Sequence, residues 1–430
     1  MDRTTWLDGL RGIAAAIVAT DHYFMGGVLD SAFLSFWADP PEENRRLIQL
    51  PPIRLLFAAH AMVPLFLVIS GYAISINLLR LRKSSPADFV RRLSSAVTRR
   101  IFRIYLPVFV ITLLYFFNIY NWTFGDDALW GRKPWTAPWL HIKFVFRYMI
   151  DNMNIINFQA NPGLNGQLWT MPFEFRGSLV VYITVLGLAF WRPQMRRIAI
   201  ALLAAYWFYF GQWDLFAFLA GLYLAEMRIL SSVPTEGETS LPLHNEKLWA
   251  SINFKGINFA MIQTFFCFTF GFWLVCLSDD GFLPPGYQFL QFFESSRWEG
   301  DWAIVSKTWK TTGSLLVVYG ISRSPALQRP LDSRPIQYLG KISFSLYLVH
   351  QSVYHLVRDP VLGLLWYVAT RESYPGTLEA SKYTVPFAFS WIVGFAIISV
   401  INLYVSSLFT KFVDERCVQV AKRFDGWLTR

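Results

Sequence analysis

The stretch RLLFAAHAMVPLFLVISGYAISINLL, residues 54–79, decides the class of this chain. From Leu55 to Leu79 it holds no Asp, Glu, Lys or Arg. A helix that crosses a bilayer needs about 20 mostly apolar residues, and this run exceeds that length. The rest of the chain follows the same pattern. Of its 430 residues, 54% are apolar, 18% are aromatic and only 16% are charged. A soluble domain carries roughly 25% charged residues. No soluble core could hide so much apolar surface, so lipid must cover much of it. The net charge of +10 is read as the positive excess of cytoplasmic loops, not as a nucleic-acid footprint. Cys267, Cys276 and Cys417 form no CxxC and no even framework, so neither a metal site nor a disulfide scaffold is expected. Asp8 and Arg11 interrupt the N-terminal apolar run, which continues to about Leu29, unlike a cleavable signal.

Working outward, ten segments read as spans: 8–30, 54–79, 101–120, 168–191, 198–210, 212–228, 257–278, 303–322, 342–357 and 385–409. The expected fold is therefore all-α, a polytopic transmembrane bundle of about ten helices forming a single domain over residues 1–430. The fifth and sixth spans are short and have the alternative of one re-entrant hairpin around Gly211. The ninth is also short, with the alternative of continuing past Arg358-Asp359-Pro360. With the N-terminus inside, 24 of the 39 Lys and Arg fall on inner segments and 13 on outer ones. That bias favours both termini in the cytoplasm. Its strongest element is Arg80–Arg103, with eight basic residues against Asp88 alone. The loop 121–167 then lies outside. Its Trp122, Trp130, Trp135 and Trp139 suit an interfacial belt, and residues 139–150 suit an amphipathic surface helix. Asn121-Trp122-Thr123 is a glycosylation sequon close to the membrane. Residues 231–247 read as a flexible cytoplasmic linker and 411–430 as a short cytoplasmic tail.

Ionisable groups inside spans are costly and mark function by default. The first span holds Asp8, Arg11, Asp21 and His22. Arg11 and His22 are close to three whole turns apart, so they share a face with roughly 16 Å between them along the axis. Asp8 precedes Arg11 by three residues and is placed to pair with it. The alternative is a structural His and an Arg that snorkels to headgroups. The second span contains Ser70-Gly71-Tyr72. Gly71 permits close approach of a ligand, or equally of another helix. His60, near the start of that span, is read as structural. Arg99, Arg100 and Arg103 stand at a cytoplasmic helix start, where guanidinium forks suit phosphates but also serve as plain anchors. The fourth span opens Gln167-Leu168-Trp169-Thr170-Met171-Pro172-Phe173-Glu174. In this topology Glu174 lies about 9 Å and His22 about 12 Å below the outer boundary. A carboxylate at that depth can fix an imidazole tautomer. Tyr347 and His350 close the series, His350 near mid-membrane as an acceptor-binding or structural group.

These segments, in this order, resemble the acyltransferase-3 family of membrane acyltransferases. Leu7-Asp8-Gly9-Leu10-Arg11 with His22 resembles its opening signature. Ser70-Gly71-Tyr72 resembles its Ser-Gly-aromatic motif, and Arg99 to Pro107 its basic run. Leu168-Trp169 with Glu174 resembles its Leu-Trp…Glu motif, and Ile342 to His350 its Tyr-Leu-x-His segment. Two departures are Phe175, where a second acid often follows the Glu, and Pro172. The long loops at 31–53 and 121–167 resemble a eukaryotic, fungal branch. The resemblance implies transfer of an acyl group, often acetyl, from acyl-CoA as co-substrate to a hydroxyl of a carbohydrate, lipid or small metabolite, with no permanently bound cofactor and no metal. It implies His22 as catalytic base with Glu174 behind it. Arg11, Arg99, Arg100 and Arg103 would hold the donor together with Ser70, Gly71 and Tyr72. Trp169, Tyr347 and His350 would serve the acceptor or the structure. An imidazole that titrates near 6.5 suits the task at neutral pH. The rival of another class is a secondary transporter of a sugar or acylated metabolite, which predicts an internal repeat that the chain does not show.

Overall fold

The computed structural model describes residues 4–25, 28, 34–116, 138–156, 165–231 and 259–429, and over those residues each segment read as a span is mainly helical. Among the described residues the fold is all-α. The ten span helices are α1 Thr5–Phe24, α2 Ala59–Ser84, α3 Pro86–Leu114, α5 Met171–Gly187, α6 Pro193–Tyr209, α7 Trp213–Ser231, α8 Phe259–Val275, α9 Trp302–Arg323, α11 Arg334–Thr370 and α13 Thr384–Phe409. The others are α4 Pro138–Asp151, the short α10 Pro325–Leu331 and α12 Thr377–Ala380, and α14 Glu415–Leu428. By length and composition, Ala59–Arg82 and the continuous stretch Thr384–Leu428 are long and apolar enough to cross a membrane.

Two boundaries differ from the expected ranges. Helix α3 begins at Pro86, not near Ile101, because its first half is amphipathic: Phe89 and Leu93 are buried while Arg91 and Arg92 face out. An apolarity window misses such a segment. Helix α11 runs unbroken through Pro360 to Thr370. The fifth and sixth spans are two helices, turned at Gly211 with φ +68°, a left-handed conformation that glycine adopts without a Cβ clash. The C-terminal tail, too, is mostly the helix α14, joined to α13 through a wide turn at Thr410–Asp414. Residues 232–247 of the linker, the sequon, Trp122, Trp130 and Trp135 lie outside the described residues. Trp139 is exposed on α4.

The chain forms two compact units, and α1, α3, α5 and α11 contribute residues to both. The first unit comprises Met1–Arg11, Ser31–Leu93 and Gly177–Gln337. In it α2 packs on α7 and α9, α6 on α7, and α8 on α9. Glycines set these crossings. A Cβ on Gly71 would overlap the Phe218 carbonyl, and one on Gly221 the Val68 carbonyl. Gly271 of α8 and Gly313 of α9 face each other in the same way, each 2.7 Å from where the other's carbonyl oxygen would meet an added Cβ. Backbone-to-backbone packing of this kind maximises dispersion where lipid removes the hydrophobic drive. Two clusters of buried charge in this unit are paired. Glu226, fully buried, accepts from Arg82 (2.9 Å) and Arg196 (2.7 Å). Lys310 of α9 bonds Asp279 at 2.5 Å, and His60 of α2 bonds the other oxygen of the same carboxylate at 3.0 Å.

The second unit comprises Gly12–Asp30, Ser94–Arg176 and Tyr338–Arg430. Its centre is aromatic. Tyr23 donates to the Trp391 carbonyl at 3.1 Å and lies against Tyr354, Trp391 and Phe395. Tyr354 donates to the Ala19 carbonyl at 2.7 Å. Gly12 lets α1 meet the backbone of Leu339 and Gly340. Helix α14 docks on α3. Asp425 accepts from Ser95 at 2.5 Å and lies 3.8 Å from Arg99, while the Phe424 ring packs tilted against Phe102 at 4.7 Å.

Candidate active site

The polar groups of the second unit gather on α11. Its His350 is fully buried. The His350 Nδ1 lies 3.0 Å from the Leu346 carbonyl one turn earlier. A carbonyl only accepts, so that nitrogen carries a hydrogen. A neutral His350 then offers its bare Nε2, which lies 2.7 Å from the Nδ1 of His22. The His22 Nδ1 must therefore donate. It follows that the remaining nitrogen, Nε2 of His22, holds the lone pair. The two rings are nearly parallel, 12° apart with centroids at 5.0 Å. His22 ends α1 only half-buried, whereas His350 has no exposure.

The turn Gly166–Thr170 before α5 lies along the same stretch of α11. Gln167 donates its Nε2 to the Leu348 carbonyl at 2.9 Å, and Tyr347 donates to the Gln167 carbonyl at 2.7 Å. The Thr170 hydroxyl is 2.8 Å from that of Tyr347. One turn on, Glu174 forms an ion pair with Arg100, and both side chains are mostly buried. The two groups predicted as catalytic thus have different partners: His22 meets His350, and Glu174 meets Arg100. Helix α3 starts at Pro86, which places Arg100 near the middle of a 29-residue helix and not at its first turn. Arg99 faces Asp425, and Arg103 is exposed. Trp169 packs edge-on to Phe173 at 5.6 Å. The two departures are accommodated. Pro172 is the second residue of α5, where the missing N–H has no helical partner to lose. Phe175 packs on Tyr105 at 5.5 Å.

The other predicted donor residues belong to the first unit. Arg11 pairs with Asp8 at 3.2 Å. Gly71 is the α2–α7 crossing point, with Ser70 half-buried beside it. Tyr72 is buried edge-on to Trp6 at 6.1 Å, and its hydroxyl has no hydrogen-bond partner among the described residues. Among the described residues no group of three or more His, Cys, Asp and Glu could hold a metal.

Gln167 and Thr170, which bind α11 through the Leu348 carbonyl and the Tyr347 hydroxyl, have no role assigned from the sequence. The available signal was a run of amides and a hydroxyl at the mouth of an otherwise apolar helix.

Bonded imidazoles, a buried Arg–Glu pair and an amide-rich turn thus stand inside an apolar, all-helical chain. The chain belongs to the acyltransferase-3 family: the family model, an acyltransferase domain, matches residues 4–411. Members of the family are polytopic membrane proteins, and this chain is an enzyme that transfers acyl groups. It is 26% identical to the O-acetyltransferase PaAT-1 of Phomopsis amygdali, covering 97% of this chain and 84% of that protein. It is 22% identical to acyltransferase R4 of a Phoma species, covering 97% and 95% of the two chains. It is 21% identical to acyltransferase clz18 of Cochliobolus lunatus, covering 96% and 95%. These relatives are fungal, as the loop lengths implied. No solved structure matches the chain.

Proposed function

We propose that the chain is a multi-pass O-acyltransferase with both termini in the cytoplasm, moving an acyl group from acyl-CoA to a hydroxyl, with His22 as general base. The observation that carries this reading is the hydrogen-bond chain from the Leu346 carbonyl through His350 to His22. It leaves His22 Nε2 as the basic nitrogen, on the less buried of the two rings. In the reaction the acceptor hydroxyl gives its proton to that nitrogen. Its oxygen attacks the thioester carbonyl, the carbon–sulfur bond breaks, and the CoA sulfur leaves with the proton that His22 returns. His350 is a positioning residue: it holds His22 in the tautomer the reaction needs. By their resemblance to the family's motifs, Arg11, Arg99, Arg100, Arg103, Ser70, Gly71 and Tyr72 serve the donor, the arginines toward its phosphates. Glu174 orients Arg100. The name of the Phomopsis relative supports oxygen as the acceptor atom and acetyl as the group moved.

The test is transfer from labelled acetyl-CoA in membranes, normalised to protein present. Loss of a general base costs about 10²–10⁴ in rate, so His22→Ala should show a loss of that size. His22→Gln keeps size and hydrogen bonding but cannot take up a proton near neutral pH, and it should fail as badly. Transfer close to the unmodified level by His22→Gln would remove the assignment.

A further inference from the structure

In the first unit, Glu226 of α7 joins the ends of two other helices. Its carboxylate accepts from Arg82 near the end of α2, at 3.0 and 2.9 Å, and from Arg196 in the first turn of α6, at 2.9 and 2.7 Å. The carboxylate is fully buried, and the two guanidinium side chains are 10% and 11% exposed. No second carboxylate bonds either arginine among the described residues. Two positive charges therefore share one negative charge, and one positive charge is left over. The two arginines are engaged differently. Arg196 directs Nε and Nη2 at Glu226 and Nη1 at the Trp191 carbonyl. Arg82 uses Nη2 alone, bonded to both carboxylate oxygens. Its Nε and Nη1 have no partner among the described residues, and neither is sealed from the surface. A mostly buried guanidinium with open N–H groups and surplus charge is prepared for an anion, and its planar fork suits phosphate oxygens.

We infer that this cluster binds the headgroup of one anionic phospholipid, with Arg82 Nε and Nη1 as donors to its phosphate. Three observations choose the lipid. Arg82 is the last residue of the long apolar span Ala59–Arg82, which puts it at headgroup level. The turn that Arg196 holds, just before α6, presents Phe190 and Trp191, both exposed. Aromatic residues at the end of a span suit the membrane interface. The spare charge is single, which matches a headgroup with one net negative charge. A phosphocholine headgroup has no net charge, and CoA would bring several negative charges to a pocket with one positive charge to spare. Basic pockets between spans on the cytoplasmic side bind anionic headgroups. That this end faces the cytoplasm rests on the orientation proposed above; the binding itself does not.

The test is native mass spectrometry of the protein in detergent with equal amounts of dioleoylphosphatidylglycerol and dioleoylphosphatidylcholine, which share their chains and differ in net charge. The unmodified protein should retain one phosphatidylglycerol in preference to phosphatidylcholine. Arg82→Lys keeps the charge and the ion pair with Glu226 but removes the two open nitrogens. Its retention should fall about tenfold, the worth of one charged hydrogen bond. Lys422→Gln removes an exposed charge on α14 and should leave retention unchanged. Retention that survives Arg82→Lys, or that falls as far in Lys422→Gln, overturns the inference. So does equal retention of both lipids by the unmodified protein. An Arg82→Lys protein that does not fold would show the whole guanidinium to be bonded within the protein, and overturns it too. Displacement of the lipid by excess CoA or inorganic phosphate would give the pocket to a soluble anion and overturn the lipid assignment.

Discussion

Arg100 and Glu174 show what a single residue can do for two neighbours at once. Each is mostly buried, and each neutralises the other. Removing one partner of a buried pair leaves an uncompensated charge, which costs about 3–5 kcal/mol. Arg100→Gln should therefore reduce the amount of folded protein as well as donor binding. The double variant Arg100→Gln with Glu174→Gln should restore folding while the KM for acetyl-CoA stays high, because two neutral amides can bond each other but not a phosphate. Melting in detergent and donor kinetics for both singles and the double resolve the two effects. Folding that does not recover in the double would show that the pair has no mutual role. At this scale the sequence was informative about identity and silent about partnership. His22 and His350 both stood out as ionisable groups in apolar runs. Their contact joins residues 328 positions apart, and no local period encodes it. Glu174 was matched with an imidazole by depth alone, and the depth argument could not place Arg100 because the amphipathic start of α3 hid the helix from an apolarity window.

Among the elements, α9 and the loop after α8 are joined by the bond between Lys310 and Asp279. Burial alone would raise the Asp279 carboxyl. The Lys310 ammonium and the His60 hydrogen bond outweigh it and hold that carboxyl below its ordinary range. A depressed carboxyl stabilises the fold fully above its unfolded value of about 3.9, and the contribution is lost as pH falls through the lower folded value. Between pH 5 and 8 the Asp279 charge that the pair needs should therefore be fully present. Asp279→Asn removes the charge and strands Lys310, whose side chain is 1% exposed. The expected cost is about 3–5 kcal/mol, read as a lower melting temperature in detergent across that whole pH range. A melting temperature unchanged from the unmodified protein would show that Lys310 has another counter-charge. The apolar elements themselves were plain in the sequence, down to the end of α13 at Phe409. The amphipathic ones were less so. Helix α14 read as a tail because its length and charge resemble a solvated segment, and only its packing through Phe424 and Asp425 makes it an element.

For the whole molecule, orientation follows from charge. The turn between α2 and α3, around Ser85, carries the densest basic run and should face the cytoplasm with the C-terminal helix. Ser85→Cys, in a chain otherwise freed of cysteine, should resist an impermeant thiol reagent in sealed cells and react once the membrane is opened. Ready labelling from outside would invert the orientation and move the donor's entry side with it. A different consequence follows from the glycine seams of the first unit. At Gly71 with Gly221, and at Gly271 with Gly313, both sides of the crossing are already the smallest residue there is. Enlarging one side cannot be offset by shrinking the other, so drift has no compensating step available. Those four positions should change rarely among descendants of this chain and should not change as correlated pairs. A map of contacts inferred from paired substitutions would then leave both crossings blank, although they are where the backbones come together.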